Sequence, residues 1–171
     1  MKKAKIIVID GFPIIREGLA CLINRQPDLT AATTAGSWDE ALMAAEQHLP
    51  DLVIADLALD GCNGLRLMET IGSRFSQIKI LALSAHSESM YAEYALCAGA
   101  SGYVRKQEAT ERILQAIREV LDGNIFISEK LARRILEADS RTGAAQAVNQ
   151  SPGRSMVKPE IFRQIKQQFT T

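Results

Sequence analysis

Aromatic residues make up only 5% of this 171-residue chain, against 47% for hydrophobic residues as a whole, so a sizeable core is affordable and must be aliphatic. Cysteine is also scarce. Cys21, Cys62 and Cys97 are far apart, with no CxxC spacing and no histidine cluster, which argues against a thiolate metal site or a disulfide frame. Cys21 and Cys97 read as small core residues on helices and Cys62 as a loop thiol, all in a reducing compartment. No signal peptide and no apolar run long enough to span a bilayer is visible, so a cytoplasmic protein without a membrane partner is expected. The formal net charge is zero, which gives the chain no overall electrostatic bias toward nucleic acid. The charge is uneven, however. Residues 140–171 hold five basic residues (Arg141, Arg154, Lys158, Arg163, Lys166) against Glu160, and the rest of the chain is net acidic.

What is present is a regular alternation of apolar runs and helical periodicities. Strands are expected at 5–10, 29–35, 52–56, 78–84 and 101–105, and helices at 13–24, 38–49, 65–75, 87–98 and 109–122. Pro13 suits a first helical turn, where its missing N–H costs nothing, and Ile14, Ile15, Gly18, Leu19, Leu22 and Ile23 then recur at helical spacing as an apolar stripe. Ser37 followed by Glu40 reads as a capping box. Five βα units with short connections predict a doubly wound α/β fold, a five-stranded parallel sheet with five flanking helices. Residues 124–127 read as a short extended piece, and Ser128 as the cap of an extra helix at 129–138 with Leu131, Ile135 and Leu136 on one face. Residues 140–157 turn polar and small and read as a flexible linker. A last short helix is expected at 159–169, where Ile161, Phe162, Ile165 and Phe169 share a stripe. The expected organisation is thus 1–128, 129–139 and 140–171.

Four of the strands end in polar groups. Strand 5–10 ends in Asp10, strand 52–56 in Asp56, strand 78–84 in Ser84, and the last strand runs into Lys106. In open α/β sheets, ligands bind at the carboxyl edge, so these four should converge there. Clustered carboxylates favour a bound cation, and magnesium prefers oxygen ligands. A carboxylate can attack phosphorus, and a hydroxyl and an ammonium can hold the oxygens of the product. The chemistry that suits this set is phosphoryl transfer onto an aspartate.

Several segments, in order, carry a resemblance: Ile9-Asp10-Gly11-Phe12-Pro13, Arg16-Glu17-Gly18-Leu19, Pro50-Asp51-Leu52-Val53-Ile54-Ala55-Asp56-Leu57, Gly61 through Gly64-Leu65, Leu83-Ser84-Ala85 and Gly99-Ala100-Ser101-Gly102-Tyr103-Val104-Arg105-Lys106. Over roughly residues 4–128 the chain resembles the receiver domain of bacterial two-component response regulators, in the NarL/FixJ (LuxR-type) branch. The resemblance implies a flavodoxin-like (CheY-like) fold. It implies Asp56 as phospho-acceptor, Asp10 and the Ala58 backbone carbonyl as further magnesium ligands, Ser84 as switch hydroxyl, Lys106 as the phosphoryl partner and Tyr103 as aromatic switch. It also implies a histidine kinase or other phosphodonor, and a second receiver as a dimer partner. That partner would meet the face of helix 87–98, strand 101–105 and helix 109–122, or the first and last helices.

The chain departs from the family pattern in two places. The second acid, which touches magnesium directly, is Gly11 here, followed by Phe12, so Mg2+ binding should be weak or lost. Asp60 stands where the family usually has proline, and reads as a turn residue or a substitute ligand. The tail is also too short for the branch's helix-turn-helix domain, so DNA contact is expected only through an output domain not visible in this chain, which would be truncated or would have had that domain replaced. Two readings stay open: a receiver phosphorylated on Asp56, serving transcription regulation in the full protein, and a pseudo-receiver acting as a phosphorylation-independent interaction and dimerisation module. A hydrolase with an aspartyl nucleophile is disfavoured, because no general acid follows Asp56 at the required spacing. The module is therefore not expected to be an enzyme, beyond catalysing its own phosphorylation and dephosphorylation.

Overall fold

Strands whose runs are apolar throughout must be covered on both faces, and that requirement sets the architecture. The structure, a computed structural model, describes residues 2–59, 63–143 and 157–170. Its sheet runs β2 (Leu29–Ala35), β1 (Ala4–Ile9), β3 (Leu52–Asp56), β4 (Lys79–Ser84), β5 (Gly102–Arg105), all parallel. Side chains alternate between two cores. Ile6, Val8, Leu52, Ile54, Leu81 and Leu83 pack with α1 (Pro13–Asn24) and α5 (Ala109–Leu121). Ile7, Ile9, Val53, Ala55, Ile80 and Ala82 pack with α2 (Trp38–His48), α3 (Gly64–Arg74) and α4 (Glu88–Cys97). Each Ile or Leu so buried stabilises the fold by about 1.5–3 kcal/mol.

Local chemistry fixes the helix ends. Pro13 occupies the start of α1. The Ser37 hydroxyl accepts the Glu40 N–H at 3.4 Å, while the Glu40 carboxylate reaches one residue further back than a standard capping box and accepts the Gly36 N–H at 2.7 Å. Asn63 caps α3 by accepting the Leu65 N–H at 3.0 Å. Leu49 ends α2 in the left-handed region (φ 41°), directly before Pro50.

Three expectations need correction. Cys21 is exposed rather than core, because the buried stripe of α1 is Leu19 and Ile23; Cys97 is partly buried. Ile14, read as part of the apolar stripe, is 82% exposed. The helix after Ser128, α6 (Glu129–Gly143), outruns its expected end. Asp60, Cys62 and 144–156 lie outside the described residues.

Residues 124–127, α6 and residues 157–170 together build one flank. Phe126 bridges β5 in parallel: its N–H donates to the Ser101 carbonyl at 3.0 Å, and its carbonyl accepts the Tyr103 N–H at 2.9 Å. Ser128 caps α6, its hydroxyl accepting the Leu131 N–H at 3.2 Å. α6 reaches α4 through Arg134, which pairs with Glu93 at 2.8 Å. The last helix, α7 (Pro159–Phe169), is marginal in isolation at eleven residues. It is held by burial of Ile161 and Ile165, with Val157 just before it, in the α2–α4 core. The Gln168 side-chain amide accepts the Ile125 N–H at 2.9 Å and donates to the Ile125 carbonyl at 3.1 Å, as a neighbouring strand would. The β5 edge is thereby paired, and the pairing segment is itself capped.

Candidate functional site

The strand order reverses between β1 and β3, and the crevice at that switch point is where open α/β sheets bind ligands. Ile9 pairs with Ala55, so Asp10, one residue on, lies beside Asp56 at the end of β3. Both carboxylates and Ser84 are fully buried, the only polar or charged residues so placed among the described residues. One device orients all three. The side chain of each accepts the backbone N–H two residues on: Phe12 N to Asp10 Oδ1 at 2.9 Å, Ala58 N to Asp56 Oδ1 at 3.0 Å, and His86 N to Ser84 Oγ at 3.1 Å. Such turns let each strand stop while its side chain stays fixed at the edge. Because Asp56 pairs with Leu83 across β3 and β4, Ser84 stands one residue further along the adjacent strand.

Lys106 closes the site. It opens a single helical turn (Lys106–Glu108) after β5, and its Nζ lies 2.7 Å from Oδ2 of both Asp10 and Asp56. The approach to Asp56 has hydrogen-bond geometry. The approach to Asp10 is an ion-pair contact off the hydrogen-bond direction, which leaves Asp10 Oδ2 buried without a directed donor. Burial works against the Lys106 charge, but the two facing carboxylates, Asp10 and Asp56, outweigh it, so this lysine titrates above its ordinary range. It is therefore an ammonium throughout the neutral range.

Tyr103 is buried on β5, and its hydroxyl donates to the His86 carbonyl at 3.0 Å, which ties β5 to the loop after Ser84. Burial pushes its phenol above the usual value. Ala58 joins the site through its N–H. Gly11 contributes no side chain, and its carbonyl accepts Arg16 Nη1 at 3.3 Å; the same nitrogen donates to the Asp10 carbonyl at 2.7 Å. Arg16 thus pins the loop, a role that its place in the sequence does not announce. Phe12 was also missed as a site residue. Its ring centroid lies 5.2 Å from Lys106 Nζ, within cation–π range. No sequence spacing reveals that contact, since 94 positions of chain separate the two and only the sheet joins them.

Among the described residues, no group of three carboxylate, imidazole or thiol side chains is placed to hold a metal ion. The donors available to a cation are Asp10, Asp56 and a backbone carbonyl. Each carboxylate already has one oxygen on a backbone N–H and the other beside an ammonium.

The sequence and the fold have counterparts among known proteins. Residues 6–118 match the family profile described as the response regulator receiver domain. The transcriptional activator protein ExaE of Pseudomonas putida is 36% identical over 130 residues, which is 76% of this chain and 61% of that protein. The oxygen regulatory protein NreC of Staphylococcus carnosus (strain TM300) is 31% identical over 159 residues, 92% of this chain and 73% of that one. A crystal structure of a LuxR-family two-component response regulator from Aurantimonas sp. SI85-9A1 superposes with a TM-score of 0.72 at 34% identity, covering 82% of this chain and 99% of that one. This chain thus spans 61% of the length of ExaE, a curated relative it matches. A profile match over 113 residues, with relatives above 30% identity across most of the chain, places the protein in the response regulator receiver family, among its NarL/LuxR-type members.

Proposed function

We propose that this chain is the receiver module of a two-component system and accepts a phosphoryl group on Asp56 from the phosphohistidine of a sensor kinase. The observation that carries the reading is the setting of Asp56: fully buried at the switch point, fixed by the Ala58 N–H, and facing the Lys106 ammonium at 2.7 Å. A carboxylate oxygen of Asp56 would form the new O–P bond as the P–N bond of the donor breaks and the imidazole leaves. Lys106 would balance the charge delivered. Ser84, which accepts from the His86 N–H, keeps its own proton to donate to a phosphoryl oxygen. Tyr103, bonded to the His86 carbonyl, would report any movement of that loop to β5. Positioning and charge balance are the whole of such catalysis, so the module would turn over only its own phosphoryl group.

Receiver domains generally bind Mg2+ in this pocket. Here Asp10, Asp56 and the Ala58 carbonyl would be the donors. With Gly11 in place of a carboxylate and the ammonium against both acids, the set falls short of a divalent site. That shortfall favours the second reading, a pseudo-receiver that works by protein contact alone.

A homodimer would use α1 and α5, where Ile14 stands exposed. Ile14, Ile15, Leu22 and Ala109 line an apolar groove of about 410 Å3 there. Transcription regulation, named for ExaE, would need DNA contact through an output domain.

Intact-mass measurement after exposure to acetyl phosphate or phosphoramidate tests the phospho-acceptor reading. The expected result is a gain of one phosphoryl mass that Asp56→Asn abolishes. No gain on prolonged exposure would leave the pseudo-receiver reading in its place.

A further inference from the structure

Two buried carboxylates at the end of adjacent strands demand a counter-cation, since burying them uncompensated is prohibitively costly. The question is which cation serves. Lys106 Nζ lies at the same 2.7 Å from Oδ2 of Asp10 and Oδ2 of Asp56, so one ammonium faces both charges. Phe12 roofs it. The ring sits 5.2 Å from the ammonium, on the residue whose own N–H holds Asp10 Oδ1 at 2.9 Å. The preceding residue, Gly11, offers a cation no side chain. A divalent ion that used both Oδ2 atoms would have to displace the ammonium or share the space with it against direct charge repulsion.

We propose that Lys106, roofed by Phe12, is the resident counter-cation of this pocket and takes the place of a divalent metal. The proposal rests on the acidic-pocket reading above, and it concerns cation binding rather than phosphoryl transfer. Asp10 Oδ2 supplies the second line of support. It is buried, faces the ammonium and has no directed hydrogen bond, so it stays available to a metal once the lysine is removed. Removing Lys106 should therefore create metal affinity, whereas a lysine that merely neighbours a working metal site should leave that affinity unchanged.

The test is a Mn2+ titration of the full chain followed by electron paramagnetic resonance of the free ion, with Mg2+ as competitor. The wild-type chain should bind no Mn2+ below about 1 mM, and Lys106→Met should bind at least ~10-fold more tightly. Phe12→Ala, at an exposed position that the core does not need, should gain affinity ~3-fold by loosening the ammonium. In thermal melts, Mg2+ should stabilise Lys106→Met and not the wild type. Sub-millimolar wild-type binding that Mg2+ displaces would overturn the proposal, as would a folded Lys106→Met with no gain in affinity. If Lys106→Met does not fold, the wild-type titration and Phe12→Ala decide: tight wild-type binding, or no gain in Phe12→Ala, overturns it. The phosphodonor experiment stays separate, because a chain that excludes Mn2+ and gains no phosphoryl mass keeps this inference and loses only the phospho-acceptor reading.

Discussion

The carboxyl edge of the sheet and its β5 flank are built on opposite principles. At the carboxyl edge, three buried polar side chains and one ammonium are held by single hydrogen bonds and charge. At the β5 flank, Val157, Ile161 and Ile165 are buried against the body, and a glutamine amide completes the backbone bonding of Ile125. The flank is robust because apolar burial is additive and undirected; three such side chains supply on the order of 5–8 kcal/mol against the cost of ordering one short helix. The carboxyl edge has no such margin, and with glycine at position 11 it presents two buried carboxylates to one ammonium. The comparison teaches that α7 belongs to the receiver body, while the site depends on a handful of atoms.

The comparison can be broken most severely at Gly64. A Cβ there would collide with the Asp56 carbonyl oxygen and the Leu57 backbone, neither of which can yield. Gly64→Ala should cost about 4 kcal/mol in denaturant unfolding and displace Asp56. A cost below about 1 kcal/mol would show that the start of α3 is looser than described. Next comes Ile165→Ala on the flank, where the side chain is fully buried. About 3 kcal/mol of α7 docking should be lost, seen as faster hydrogen exchange in α7 and 124–127 with β1 and β3 unchanged. Exchange that rose equally in β1 would merge the two regions. The smallest effect belongs to Gln168→Ala, which removes both bonds to Ile125. About 1 kcal/mol is expected, with Ile125 the amide most deprotected.

The strands were legible because their two-sided burial writes itself as unbroken apolar runs, as in Leu52-Val53-Ile54-Ala55. The site residues were legible as polar stops to those runs, so the sequence alone puts Asp10, Asp56, Ser84 and Lys106 at one edge. What the sequence did not disclose depends on meetings in space. Phe12 over Lys106 is one, and the Gln168 amide on the Ile125 backbone is another. Cys21 and Ile14 were misread because helical periodicity marks an apolar stripe without saying where its buried centre lies; in α1 that centre is Leu19 and Ile23. α7 was legible as a helix from its Ile161–Ile165 spacing, but its seat against 124–127 was not, since a helix stripe does not name its partner.

The central claim is that Asp56 is an acceptor whose pocket is balanced by Lys106. It is tested most directly by the rate at which the chain gains phosphoryl mass on Asp56, compared in Mg2+ and in chelator. The account predicts a slow gain on Asp56, equal in the two conditions within about 2-fold, because the cation that balances the pocket is covalently part of the chain. A gain that requires Mg2+ would contradict the lysine-balanced pocket, and a chain that gains nothing in either condition would contradict Asp56 as the acceptor.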